Sequence, residues 1–94
     1  VAHGQIIVDR GAEKALVSAG KSLLPAGVVQ VQGEFLPGDV VEVLGPQHQV
    51  IGKGVVNYTN WQLQASAGLT TEEVKKRIDI QRVEVIHRDE WISL

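Results

Sequence analysis

Two short segments carry residues whose types and spacing could act on phosphate groups. The first, Ala15-x4-Gly20-Lys21-Ser22, fits a relaxed phosphate-binding loop with alanine at its first position. That loop needs a strand before it and a helix starting at its end, so that backbone amides and the helix dipole meet the phosphate. Here a helical pattern precedes the segment, and Pro25 disfavours helical backbone at Leu24. We therefore interpret Gly20 as a helix stop that is followed by a turn.

The second segment, His87-Arg88-Asp89, copies the catalytic tripeptide of protein kinases. The tripeptide works only with an Asn five residues after its Asp, a glycine-rich loop and a magnesium-binding Asp elsewhere. Leu94 stands where that Asn is needed, and the sequence lacks the other two parts. The tripeptide therefore does not indicate a protein kinase.

The remaining candidates for chemistry are few. His3, His48 and His87 lie far apart, and none has a second ligand at a spacing suited to zinc. The sequence has no cysteine, which excludes disulfides, thiolate metal sites and cysteine nucleophiles. Trp61 and Trp91 are interpreted as core or interface residues rather than as platforms for base stacking. We predict no catalytic, cofactor-binding or metal-binding residue in this chain, which disfavours an autonomous enzyme.

Length and composition indicate one small domain. The 94 residues contain 44% hydrophobic residues and 10 glycines, which is typical of a globular protein rich in turns. No apolar run approaches the roughly 20 residues of a membrane span, so we expect no membrane association and an intracellular, cytoplasmic location. Because the sequence starts at Val1 and has no methionine, we expect a fragment of a longer chain.

Alternating and helical residue periods predict mainly strands with short helices. Strands are predicted at 5–8, 29–32, 39–44, 50–58 and 83–87, with the last one resuming at 91–92. A helix over 10–19 is predicted to be capped by Asp9. Two capping boxes, Thr59 with Gln62 and Thr70 with Glu73, predict two further helices.

Four blocks of residues then carry a resemblance to a known family. Ser22-Leu23-Leu24-Pro25-Ala26-Gly27-Val28 is followed by Gly33-Glu34-Phe35, Gly38-Asp39-Val40-Val41 and Glu84-Val85-Ile86-His87-Arg88-Asp89. In this order and at these distances the blocks resemble a PUA domain, and most of all the C-terminal PUA domain of the glutamate 5-kinase family. The resemblance covers nearly all of residues 4–92. It implies that residues 1–94 form a single domain, a mainly β PUA-type pseudo-barrel of about five to six strands with short helices.

The resemblance also implies a function and partners. Glutamate 5-kinases transfer the γ-phosphate of ATP to the side-chain carboxylate of glutamate, the first step of proline biosynthesis. Their N-terminal amino-acid-kinase domain, which is absent from this sequence, holds the ATP and magnesium sites. We therefore expect a non-catalytic accessory domain with no cofactor of its own. Its partner would be that kinase domain, whose regulation or assembly it would tune in a homo-oligomer.

The alternative function is RNA binding. In RNA-binding PUA domains the nucleic acid meets the loop between the first helix and the second strand, with help from the final strand. The resemblance therefore implies nine candidate residues for RNA or partner binding: Lys21, Ser22, Leu23, Leu24, Pro25, Ala26, Gly27, His87 and Arg88. A net charge of −2, with nine basic and eleven acidic residues, predicts that any RNA binding is weak. Departures from the family pattern at 59–62 and at Ala67 weaken a basic surface further.

Overall fold

The computed structural model describes residues 3–94, which form a five-stranded mixed sheet with short helices. The strands are β1 (Gly4–Val8), β2 (Val28–Gly33), β3 (Val40–Leu44), β4 (Val50–Val56) and β5 (Ile86–Ser93). The helices are α1 (Arg10–Val17), α2 (Asn60–Ser66) and α3 (Thr71–Arg77), and a 3-10 turn lies at Pro25–Gly27. The strand order is β2-β1-β3-β4-β5, in which β1 and β3 are parallel and the other pairs antiparallel. This architecture confirms the predicted fold class.

The core forms where the inward side of the sheet meets the helices. Its fully buried side chains include Ile6, Val8, Leu16, Leu23, Val41, Val43, Val56, Tyr58, Leu63, Val74, Val85 and Ile86. Gly52 and Gly54 are two residues apart in β4, so they lie on one side of the strand. A Cβ on Gly54 would stand 2.6 Å from Ile86 Cγ2, and one on Gly52 would stand 2.5 Å from Trp91 Cζ2. These two glycines therefore let β5 cross close to β4, which a small barrel requires.

All three helix starts are capped as the sequence predicts. Asp9 accepts a hydrogen bond from the Ala12 amide at 2.8 Å, and both capping boxes are formed, by Thr59 and by Thr70. The Glu73 carboxylate accepts hydrogen bonds from the Thr70 amide and hydroxyl, which lowers the pKa of Glu73. The caps satisfy amides that a helix this short leaves without intrahelical partners.

Val29 and Val31 alternate with Gln30 and Gln32, which predicts a half-buried strand with Val29 on its inward side, and this prediction is wrong for Val29. Val29 is 63% exposed, whereas Val28 is buried. A bulge causes the change: Ile7 pairs with Gln30 but Val8 pairs with Val28, so Val29 is an extra residue in β2. An extra residue inverts the alternation of a strand, which a period-2 pattern does not reveal.

The predicted last strand is also placed incorrectly. β5 begins at Ile86 and continues without a break to Ser93, instead of spanning 83–87. The Val83 carbonyl accepts a hydrogen bond from the Tyr58 hydroxyl at 2.8 Å, so a side chain takes the bond that a strand ladder would use.

None of the helices within 3–94 has the length and apolar character to cross a membrane.

Candidate functional site

The loop after α1 begins at a helix end that turns through a left-handed glycine. The Lys21 amide donates to the Ala15 carbonyl at 2.8 Å, and Gly20 has a φ of 62°. This is the conformation that glycine adopts without the steric cost of a Cβ. No helix starts at Lys21 or Ser22, so the segment does not form a phosphate-binding loop.

The same loop is hydrogen-bonded to the last strand. The Leu23 amide donates to the Ile86 carbonyl at 2.9 Å, and the Val85 amide donates to the Leu23 carbonyl at 2.8 Å. The residue before Leu23 adds a third bond, in which the Arg88 amide donates to the Ser22 hydroxyl at 3.0 Å. The structure thereby brings together the two segments that the resemblance paired, although Ser22 and Arg88 are 66 residues apart.

The 3-10 turn that closes the loop is packed against the body of the domain. Pro25 is buried, and its carbonyl accepts from the Gly68 amide at 2.9 Å. A Cβ on Gly27 would stand 2.6 Å from Ala12 Cβ, so glycine is required there by close packing against α1. Leu23 and Pro25 thus hold the loop in place and are not available to a partner.

Other residues of the predicted site face solvent. Lys21, Ala26 and Arg88 are exposed, and Leu24 is 44% exposed. Within residues 3–94, neither the Lys21 ammonium nor the Arg88 guanidinium lies within 4.0 Å of a carboxylate. The site therefore offers two unpaired cations and one apolar side chain on a firmly bonded scaffold.

The histidine of the predicted site is held by its own strand. His87 Nδ1 accepts a hydrogen bond from the Asp89 amide at 3.1 Å and lies 3.5 Å from Asp89 Oδ2. The amide contact is the hydrogen bond of this pair, because the amide is nearer and its hydrogen is fixed by the backbone. No three His, Asp or Glu side chains among residues 3–94 gather as they would around a metal ion.

The sequence analysis does not place α3 next to this site. α3 packs against the 3-10 turn, and its last turn exposes Lys75, Lys76 and Arg77. Three consecutive cations are visible in the sequence, but nothing local shows that their helix packs against Pro25–Gly27. Both tryptophans are predicted to be core or interface residues, and Trp61 is 62% exposed, whereas Trp91 packs partly against the core.

This fold and the match of residues 4–78 to the PUA domain family show that the chain belongs to that family. It is also similar to a solved PUA domain from Aeropyrum pernix K1, crystallised as a tartrate complex. The two share 30% sequence identity with a TM-score of 0.65, over 92% of this chain and 43% of that one.

More specifically, the chain is homologous to the C-terminal region of glutamate 5-kinases. It is 52% identical to the glutamate 5-kinase of Aquifex aeolicus over 89 residues, which are 95% of this chain and 25% of that protein. It is 48% identical to the enzyme of Bacillus cereus over 94 residues, the whole of this chain and 26% of that protein. The chain thus spans about a quarter of the length of these curated relatives.

Proposed function

We propose that this chain is the non-catalytic C-terminal PUA domain of a glutamate 5-kinase and tunes that enzyme's regulation or assembly. The observation that carries the proposal is 52% identity to one such kinase across 95% of this chain and only 25% of the relative. A domain with its own core, appended to a catalytic domain, can change activity without contributing to the chemistry.

The proposal assigns the parts of the reaction to different domains. The N-terminal amino-acid-kinase domain of the longer chain would bind ATP, magnesium and glutamate, and this domain would bind no cofactor. The longer protein would be a cytoplasmic homo-oligomer. The accessory domain would act by contacting the kinase domain differently in its active and inhibited states, since only differential contacts shift such an equilibrium.

A truncation of the longer kinase that ends before His3 tests this proposal. We expect the truncated enzyme to keep glutamate-dependent ATP turnover but to change in its response to proline, in its response to magnesium or in its oligomeric state. Steady-state kinetics with a proline titration, together with light scattering, measures all three. Loss of turnover in a folded truncation would mean that the domain helps build the active site. Identical kinetics, regulation and assembly would remove the tuning role.

RNA binding is a second candidate, favoured by one observation. Hydrogen bonds join the loop to β5 next to Lys21 and at Arg88, and both of these cations are exposed. Cations on a rigid scaffold can neutralise phosphates, but the overall charge of −2 opposes tight binding. We expect a Kd in the micromolar range or weaker at physiological salt.

Salt-dependent binding of a single-stranded RNA of about 20 nucleotides tests this alternative. Lys21→Glu and Arg88→Glu should each weaken the binding, while Lys53→Glu, an exposed lysine on β4, serves as the matched control. Tight binding that both loop variants abolish and the control retains would favour RNA binding over kinase tuning. Binding that all three leave unchanged would refute this site.

A further inference from the structure

A second surface of the domain presents apolar side chains that its own core does not need. Leu36 is 61% exposed and Trp61 is 62% exposed, and both line one open groove of about 630 Å³. The surface around these two residues is called the Trp61 face here, and its other lining residues are His3, Glu34, Phe35, Asp39 and Asn60. An exposed tryptophan beside an exposed leucine is the composition that protein interfaces use.

The backbone beneath the Trp61 face is held rigidly. The Phe35 amide donates to Asn60 Oδ1 at 3.1 Å, and the Asn60 amide donates to the Phe35 carbonyl at 3.2 Å. This reciprocal pair places the next residues, Leu36 and Trp61, on the same surface. A turn closed by Asp39 holds Leu36, since its carboxylate accepts from the Leu36 amide at 2.8 Å. A partner would therefore meet side chains whose backbone needs no further ordering.

The path of the polypeptide identifies the partner. His3 lines the same groove, and its amide donates to the Val40 carbonyl at 2.9 Å, which fixes the chain at this point. In the curated relatives the matched stretch is the C-terminal region and about a quarter of the length. The rest of such a polypeptide approaches this domain through His3. A domain tethered there has a high effective concentration at the groove, which favours contact within one polypeptide.

We propose that the Trp61 face docks against the catalytic domain of the same polypeptide. This inference rests on the proposed function and deepens it by assigning the surface through which tuning occurs. Trp61 and Leu36 would enter an apolar recess. Glu34 and Asp39 line the same groove, with His3 Nε2 3.9 Å from Asp39 Oδ1, so lysine or arginine side chains around that recess would complement the two carboxylates.

Photo-crosslinking in the full-length kinase tests the docking directly. A benzoylphenylalanine at position 61 should crosslink to peptides that precede position 1 of the same polypeptide, and the product should keep monomer mass on a denaturing gel. The same group at position 29 is the control, because Val29 is 63% exposed on another part of the sheet and should not crosslink there. Crosslinks to residues 3–94 of a second copy, or none above the control, would overturn the proposal.

Exchange and kinetics of substituted full-length enzymes provide the second measurement. The double variant Leu36→Gln, Trp61→Gln should raise amide exchange at 33–40 and 59–64 at least about tenfold, because removing a central aromatic contact exposes both segments. Its regulation should become that of the truncated enzyme, while kcat without inhibitor stays unchanged. Val29→Gln should alter neither the amide exchange of these segments nor the regulation of the enzyme. Amide exchange at 33–40 and 59–64 that is as slow in the double variant as in the wild-type enzyme would contradict the docking.

The two proposals fail in different ways. A full-length protein that does not phosphorylate glutamate would refute the proposed function whatever the crosslinks show. A full-length kinase whose regulation changes on truncation, yet whose position 61 crosslinks no better than position 29, would keep the proposed function and refute the Trp61 face.

Discussion

The loop 21–27 and the Trp61 face expose side chains in different ways. In the loop, exposed residues alternate with buried ones: Leu24 is 44% exposed while its neighbours Leu23 and Pro25 are buried. At the Trp61 face, the exposed side chains of Leu36 and Trp61 project from a backbone that hydrogen bonds to Asn60 and Asp39 hold in place. Substitutions of the buried loop residues therefore test folding together with binding, whereas those of Leu36 and Trp61 test binding alone.

The largest expected effect is in the buried part of the loop. Leu23→Ala should lower the free energy of unfolding by about 2–5 kcal/mol, because it empties a core position that is 1% exposed. Leu24→Ala, one residue further, should cost less than about 1 kcal/mol because that side chain already contacts water. Urea denaturation of the 94-residue chain measures both. Equal losses would show that the loop is not divided into buried and exposed positions.

A second effect arises where the 3-10 turn meets α1. Gly27→Val should cost about 1–3 kcal/mol, since even its first carbon would stand 2.6 Å from Ala12 Cβ. Ala26→Val is the matched control because Ala26 is exposed. Thermal unfolding of the two variants provides the comparison. An unchanged Tm in Gly27→Val would mean that the turn moves away from α1 at little cost.

Local patterns predicted the elements and their caps. The polar residues that start the helices lie within three residues of the amides they cap, so Asp9, Thr59 and Thr70 could be recognised from sequence alone. The adjacency of the loop and β5 came from the resemblance to a family, because no local pattern links residues 66 positions apart.

Other features depend on contacts between distant segments and were missed. The bulge at Val29 is defined by the pairing of β2 with β1, which the sequence of β2 alone does not contain. The pairing that sets Leu36 and Trp61 on one surface joins Phe35 and Asn60, which lie 25 residues apart and bond reciprocally. The approach of α3 to the 3-10 turn is likewise a tertiary contact. Neither the composition of the sequence nor the periodicity of its apolar residues carries information about contacts between residues that are distant in sequence.

A third prediction concerns the segment that joins α3 to β5. Tyr58 is fully buried, and its hydroxyl donates to the Val83 carbonyl at 2.8 Å. Tyr58→Phe should cost about 1 kcal/mol at neutral pH, since it removes this bond and leaves a carbonyl less well satisfied. Urea denaturation measures the loss. No loss would mean that water replaces the hydroxyl.

The same tyrosine predicts a pH dependence. Burial, with a smaller contribution from the Glu84 carboxylate, raises the pKa of Tyr58 from 10.0 to about 12. The folded state therefore keeps this proton where the unfolded chain loses it, so the contribution is complete below pH 10.0 and is lost as pH rises toward about 12. The free energy of unfolding should decline in that window, and the decline should be shallower in Tyr58→Phe. Identical slopes would contradict the raised pKa.

The smallest expected effect distinguishes the two tryptophans. Trp61→Gln should change the free energy of unfolding of the 94-residue chain by less than about 0.5 kcal/mol, because a side chain that is 62% exposed has little packing to lose. Trp91→Gln should cost more than about 1 kcal/mol, because that ring packs against the core beside Gly52, with its Nε1 donating to the Ser93 hydroxyl at 3.0 Å. Urea denaturation of both variants, read by circular dichroism because each removes a tryptophan, gives the comparison. A large loss in Trp61→Gln would mean that the Trp61 face belongs to the fold, which would remove the reason to assign it to a partner. A near-neutral Trp61→Gln, beside a destabilising Trp91→Gln, leaves an aromatic side chain that the isolated domain does not use.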